Sequence, residues 1–103
     1  DDLAKYNSLK AELYPKAADA YYTKGKSDFL SKNMTEAKTD LETALKYASN
    51  ENFVDDIYYY LGQIAEGEKD TASAKKYYNK IISDYPDSNQ IGNARNALEG
   101  LKE

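Results

Sequence analysis

Apolar residues in this chain recur every three or four positions, and short breaks divide that pattern into six stretches. Such spacing places the apolar side chains on one face of an α-helix, and the sustained alternation of a half-buried strand is absent. The stretches predict helices at about Asp2–Leu13, Pro15–Ser31, Thr35–Ala48, Val54–Glu66, Thr71–Tyr85 and Ser88–Leu101. The intervening loops have only about two to five residues, so neighbouring helices are expected to run antiparallel.

The breaks between the stretches carry residues that typically end or begin helices. Pro15 is expected to end or kink the first helix, or to open the second at its first position. Asn33 is expected to close the second helix, because Asn tolerates the left-handed conformation. Capping side chains are predicted at Thr35 and at Asp70 or Thr71, and Asp87-Ser88 is expected to begin the last helix.

One pattern in the chain recurs after 37 residues. Its first copy comprises Tyr21, Tyr22, Gly25, Ala37 and Lys38. Its second copy comprises Tyr58, Tyr59, Gly62, Ala74 and Lys75. Self-similarity at a period of about 20 to 50 residues indicates a repeat architecture, in which one supersecondary unit stacks on the next.

The second copy resembles a tetratricopeptide repeat. The residues that fit this pattern are Tyr58, Leu61, Gly62, Ala74, Tyr78 and Pro86. Ala65 of the second copy replaces the Tyr of the pattern. The first copy fits less well, because Lys24, Asp28 and Ser49 stand where the second has Leu61, Ala65 and Pro86. The resemblance implies an all-α fold of antiparallel helical hairpins, stacked as a short right-handed solenoid of about six helices. Another helical-hairpin domain of similar period is the alternative.

On this interpretation the chain is a single domain with four parts. Residues 1–14 form an N-terminal capping helix, 15–50 the first repeat, 51–87 the second, and 88–103 a C-terminal capping helix. The first helix carries an apolar seam, defined as Leu3, Tyr6, Leu9 and Leu13. The seam could cap the repeats, continue an upstream coiled coil or form a homo-oligomer. Because the chain begins at Asp1 without Met, we expect it to be a piece of a longer or processed protein.

The two adjacent tyrosines of each repeat have different neighbours on the helix surface. Consecutive helical residues project about 100° apart, so Tyr58 lies with the apolar Leu61 while Tyr59 lies with polar residues. Under the shift of 37 residues Tyr21 is equivalent to Tyr58, and both are expected to pack, while Tyr22 is equivalent to Tyr59. In tetratricopeptide domains, such positions on the first helix of each hairpin face a concave, peptide-binding groove. The resemblance therefore implies a groove lined by Tyr22, Lys26, Phe29, Tyr59, Gln63 and Glu66. Alternatively, both tyrosines pack between helices or lie exposed to water.

Composition excludes several classes of function. The chain has neither Cys nor His, which removes disulfides, thiolate sites and the commonest general base. Fourteen basic and 18 acidic residues give a net charge of −4, unsuited to binding a nucleic acid backbone. No apolar run reaches the ~20 residues that span a bilayer. No nucleophile–base pair or metal cluster is recognisable, so we expect no enzymatic activity, no cofactor and no bound metal.

The resemblance implies a module that binds a protein or peptide partner, and the alternative is a structural scaffold with an unused groove. Tyr22 and Lys26 replace the Lys and Asn with which chaperone-binding relatives clamp a carboxylate, which argues against that role. The segment from Asp84 to Ser88 is similar to repeat ends in bacterial cell-envelope proteins, such as the periplasmic coordinator of the Tol–Pal system. That similarity favours a periplasmic or cell-surface location in a larger cell-envelope or membrane-anchored bacterial protein.

Overall fold

The computed structural model describes residues 2–49 and 51–101. This part of the chain contains five α-helices and no strand, so the predicted all-α fold is confirmed. The helices are α1 (Asp2–Leu30), α2 (Met34–Tyr47), α3 (Val54–Gly67), α4 (Thr71–Asp84) and α5 (Ile91–Gly100). The predicted ends of the first repeat at residue 50 and of the last segment at residue 103 lie outside the described residues.

The first two predicted helices form one continuous helix, with Pro15 inside α1. Proline lacks the N–H that would bond to the carbonyl of Ala11, so it normally ends or kinks a helix. Here Pro15 is exposed, which leaves water free to solvate that carbonyl. Since the C-terminal half of α1 packs against α2, the helix needs no second nucleation to extend through its N-terminal half.

The chain divides into two compact units, Asp1–Val54 and Asp55–Glu103. In the first unit α1 and α2 form a hairpin. Small side chains allow the two helices to approach closely: a Cβ added to Gly25 would lie 2.8 Å from Cγ of Leu41. Leu41 is fully buried, and its burial contributes about 2 kcal/mol. The buried residues of this hairpin are Ala18, Gly25, Ala37, Asp40, Leu41 and Ala44.

In the second unit, Tyr78 of α4 occupies the position that Leu41 occupies in the first. A Cβ added to Gly62 of α3 would lie 2.6 Å from Cε1 of Tyr78. Helix α5 packs against α4 and contributes Ala94 to the core. The buried cluster of this unit comprises Ala65, Ala74, Tyr78, Ile81 and Ala94. The shift of 37 residues therefore relates packing contacts as well as sequence letters.

The turn after α1 and the turn after α3 have the same backbone hydrogen bonds. Asn33 N donates to Asp28 O at 2.8 Å, and Asp70 N donates to Ala65 O at 2.9 Å. In both turns the preceding residue has a positive φ, 67° at Lys32 and 62° at Lys69. These are the bonds and the conformation of a Schellman motif, which reverses the chain within three residues. The left-handed residue is thus Lys32, whereas the sequence predicted Asn33.

The predicted capping residues have mixed outcomes. Asp70 caps α4, because its Oδ1 accepts from Ser73 N at 3.1 Å. Thr35 is not a cap but lies inside α2, whose N-cap residue is Asn33. Ser88 does not begin the last helix, which starts at Ile91 after Gln90. The hydroxyl of Ser88 instead accepts from Gln90 N at 2.9 Å and donates to Asp55, so it joins the α4–α5 loop to α3.

Candidate partner-binding surface

The predicted groove residues of the first unit follow one line along α1. Tyr22, Lys26 and Phe29 are four and three residues apart, which places them on neighbouring turns of the same helix face. The ring of Tyr22 is half-buried and stacks on Phe53, with ring centroids 4.6 Å apart and planes 3° from parallel. Lys26 is exposed. The unit therefore presents a fixed aromatic pair with a solvated cation one turn away.

The predicted groove residues of the second unit are joined through the core residue Tyr78. The Gln63 side-chain N–H donates to the Tyr59 hydroxyl, with Nε2 and Oη 2.5 Å apart. The Tyr59 and Tyr78 rings have centroids 6.1 Å apart, and the Tyr78 hydroxyl donates to the carboxylate of Glu66. The structure thus brings together all three predicted residues of this unit. It also shows that Tyr59 packs on the core, although its helical neighbours are polar.

The predicted division of the tyrosines into packed and surface residues differs from the observed burial. Tyr21, predicted to pack, is 38% exposed and stacks on Tyr47, whereas its neighbour Tyr22 is half-buried. Tyr58 is half-buried and contacts Tyr77, with ring centroids 6.3 Å apart. Helical neighbours could not show this, because the partner rings come from distant segments. The groove itself stays a prediction.

Phe53 stacks on the predicted groove residue Tyr22, a contact that the sequence did not predict. It lies in the loop before α3, where helical periodicity gives no information about side-chain contacts. The only signal was an isolated aromatic residue in an otherwise polar loop. Its stacking on Tyr22 limits the rotation of both rings, so the pair offers aromatic surface at small entropic cost.

A polar network accounts for two of the three pattern positions, Lys24 and Asp28, at which the first repeat differs from the second. Lys24 Nζ lies 2.8 Å from Oδ2 of Asp40 and 3.3 Å from Oδ2 of Asp28. Hydrogen bonds to these two carboxylates raise the pKa of Lys24. Asp40 is only 9% exposed, and the lysine compensates for the burial of its charge. Lys24 and Asp28 replace the apolar Leu61 and Ala65 of the second repeat, so one repeat has ionic contacts where the other has apolar side chains.

Two other kinds of feature, a metal site and a membrane span, were sought among the described residues. None of their acidic side chains assembles in a group of three or more that could hold a metal ion. Within the same residues, each helix is either too short or too polar to cross a membrane.

Helical hairpins that recur after 37 residues, with matching close contacts and turns, define a helical repeat protein. Residues 18–51 and residues 56–88 each match a model of the tetratricopeptide repeat, and together they cover about two thirds of the chain. The chain therefore contains two tetratricopeptide repeats. Comparison with curated proteins and with solved structures gives no match.

Proposed function

We propose that this chain is a protein–protein interaction module that binds a peptide or protein partner through the predicted groove residues. Two matched repeats support the class of function, since tetratricopeptide repeats commonly mediate such interactions. The stacked pair Tyr22 and Phe53 carries the proposal for the surface, because it is a rigid aromatic contact beside the exposed Lys26. The aromatic pair suits the apolar groups of a partner, and Lys26 suits its acidic groups.

The larger protein is proposed to be a bacterial cell-envelope or membrane-anchored protein. The similarity of the segment from Asp84 to Ser88 to repeat ends of envelope proteins supports this setting. Fractionation of cells that express the full-length protein tests it, and recovery in the cytosol alone would contradict it.

The experiment that tests the groove begins with the immobilised chain. Partners captured from a lysate of the source cells are identified by mass spectrometry, and one is purified for titration. We expect Tyr22→Ala and Lys26→Glu in the first unit, and Gln63→Ala in the second, each to weaken binding by about tenfold. Lys76→Glu, an exposed lysine on α4, is the control and should change affinity less than about twofold.

Tyr59 is unsuitable for this test, because its ring packs on Tyr78 and truncation would disturb the core. Circular dichroism confirms that each variant keeps its helices. Wild-type affinity in the variants of one unit would restrict the surface to the other unit. Wild-type affinity in all three would contradict the groove.

The alternative function is a structural scaffold or oligomerisation domain. The apolar seam favours it, because its four side chains are between 51% and 64% exposed on the N-terminal half of α1. The capping role of this segment stays a prediction. A chain that stays monomeric in solution would contradict the oligomerisation alternative.

A further inference from the structure

The first unit contains a cavity of about 580 Å³ away from the predicted groove residues. It lies where the N-terminal half of α1 meets the C-terminal end of α2. This volume is within the range of ligand pockets in proteins. Its lining includes Lys10, Tyr14, Pro15, Lys46, Tyr47 and Ala48.

The aromatic wall of the cavity is held in place by ring contacts. The Tyr14 and Tyr47 rings meet edge to face, with centroids 4.9 Å apart and planes at 83°. Tyr47 also stacks on Tyr21, with centroids 6.2 Å apart. Because each ring is fixed by another, the wall is preorganised, and a ligand has little side-chain entropy to remove on binding.

The charge of the cavity is opposite to that of the chain. Of the described residues that line it, Lys10 and Lys46 are charged and none carries a carboxylate, although the net charge of the chain is −4. Lys10 Nζ lies 5.4 Å from the centroid of the Tyr14 ring. Glu51, in the adjoining loop, accepts a hydrogen bond from Ser49 N at 2.6 Å. The cavity thus combines two cations with an apolar and aromatic wall.

We propose that this cavity binds an acidic peptide segment that carries an apolar side chain. The apolar side chain contacts Tyr14, Pro15 and Ala48, and the flanking carboxylates pair with Lys10 and Lys46. Charge complementarity selects an acidic partner over a basic one, and the aromatic wall selects a peptide with apolar groups over a simple polyanion. The site uses none of the groove residues, so it stands independently of the function proposed above.

The test titrates the complete 103-residue chain with fluorescein-labelled, capped peptides of three compositions. The probe alternates Glu and Leu, one comparison peptide has Lys for every Glu, and the other has Ser for every Leu. We expect the probe to bind and both comparison peptides to bind at least about tenfold more weakly. Raising NaCl from about 0.05 M to about 0.5 M should weaken binding of the probe, because salt screens exposed ion pairs.

A double variant locates the site. Lys10→Glu with Lys46→Glu is expected to weaken probe binding by about tenfold or more. Lys75→Glu with Lys76→Glu makes the same change in net charge on exposed lysines of α4 and should leave binding within about twofold. Backbone amide NMR of the wild-type chain checks the location without substitution, since the probe should shift the signals of residues 10, 14, 46 and 47.

Several results would overturn the proposal. They are the absence of probe binding at millimolar concentration, equal binding of the lysine peptide or the serine peptide, an equal effect of both double variants, and NMR shifts confined to other residues.

Discussion

Gly62 lies so close to the fully buried ring of Tyr78 that the two residues determine how near α3 and α4 can approach. Gly25 and Leu41 make the equivalent contact in the first unit. In a helix interior, glycine is less favourable than alanine by about 1 kcal/mol. Both glycines therefore lower local helix stability in exchange for close packing, which explains why a helix-disfavouring residue occurs in the same place in both repeats.

Gly62→Ala should destabilise the protein by about 1–2 kcal/mol, because the steric cost against a ring that cannot move exceeds the gain in helix propensity. Gly92→Ala is the matched control, since a Cβ there meets no atom within 4 Å. It should stabilise the protein by up to about 1 kcal/mol. Urea unfolding followed by circular dichroism measures both changes. A Gly62→Ala variant as stable as the wild type would show that the helices can separate at little cost.

The Tyr78 hydroxyl couples stability to pH. Burial raises its pKa far above the usual range, and the hydrogen bond to Glu66 and the charge of that carboxylate add to the shift. In the unfolded chain the hydroxyl ionises near pH 10, whereas in the folded chain it keeps its proton. The stability that the protonated Tyr78 contributes is therefore complete below about pH 10. It is lost progressively as the pH rises, by up to about 1.4 kcal/mol per pH unit.

We expect Tyr78→Phe to cost about 0.5–1.5 kcal/mol near neutral pH, because one hydrogen bond is lost and Glu66 is exposed to water. Above about pH 10 the wild type should lose stability faster than the variant, so the difference shrinks and then reverses. Tyr21→Phe, at an exposed ring, is the control and should not alter the slope. Urea unfolding between pH 7 and the alkaline limit of reversibility gives the slopes. Parallel slopes for all three proteins would contradict the assignment to Tyr78.

At the scale of secondary structure, local signals predicted the helices well where the local sequence decides the outcome. The cap of α4 was predicted at Asp70 or Thr71, and Asp70 does cap it. The prediction succeeds because the capping hydrogen bond, to Ser73 N, involves only the next three residues. The helix break that was predicted at Pro15 is absent, because packing further along α1 already nucleates the helix and overrides the local effect of proline. Likewise the packing of Tyr59 depends on Tyr78, which is 19 residues away. Helical periodicity reports only on neighbours within one helix and could not predict this contact.

Substitution in the two Schellman turns could stabilise the protein. Lys32 and Lys69 adopt a left-handed backbone conformation that costs an L-residue about 1 kcal/mol or more. Lys69→Gly should stabilise the protein by about 0.5–1 kcal/mol, after the extra freedom of glycine in the unfolded chain is subtracted. Lys32→Gly should have a similar effect, and the two should add because the turns belong to separate hairpins.

Lys75→Gly, inside α4, is the opposing control and should destabilise by about 1 kcal/mol. Thermal unfolding ranks the wild type, the two turn variants, their double variant and Lys75→Gly. A loss of stability in either turn variant would show that the lysine makes contacts that outweigh its backbone strain.

At the scale of the whole molecule, charge and apolar surface are unevenly distributed. The chain carries a net charge of −4, yet the cavity beside α1 is lined by two lysines. The seam on the same half of α1 is the chief group of large apolar side chains that the described residues leave exposed. Its members could be predicted from their spacing, whereas their exposure could not, since spacing identifies an apolar face but not what covers it.

This exposed face leads to the last prediction, that the chain self-associates weakly through the seam. Leu9→Ser with Leu13→Ser should abolish a concentration-dependent rise in molar mass and change the unfolding free energy of the monomer by less than about 1 kcal/mol, because both side chains are half-exposed. Leu30→Ser is the control, since Leu30 is 67% exposed at the opposite end of α1. Sedimentation equilibrium from micromolar to millimolar concentration measures the masses. A wild-type chain that stays monomeric throughout would remove the support for the oligomerisation alternative and leave partner binding as the function to pursue.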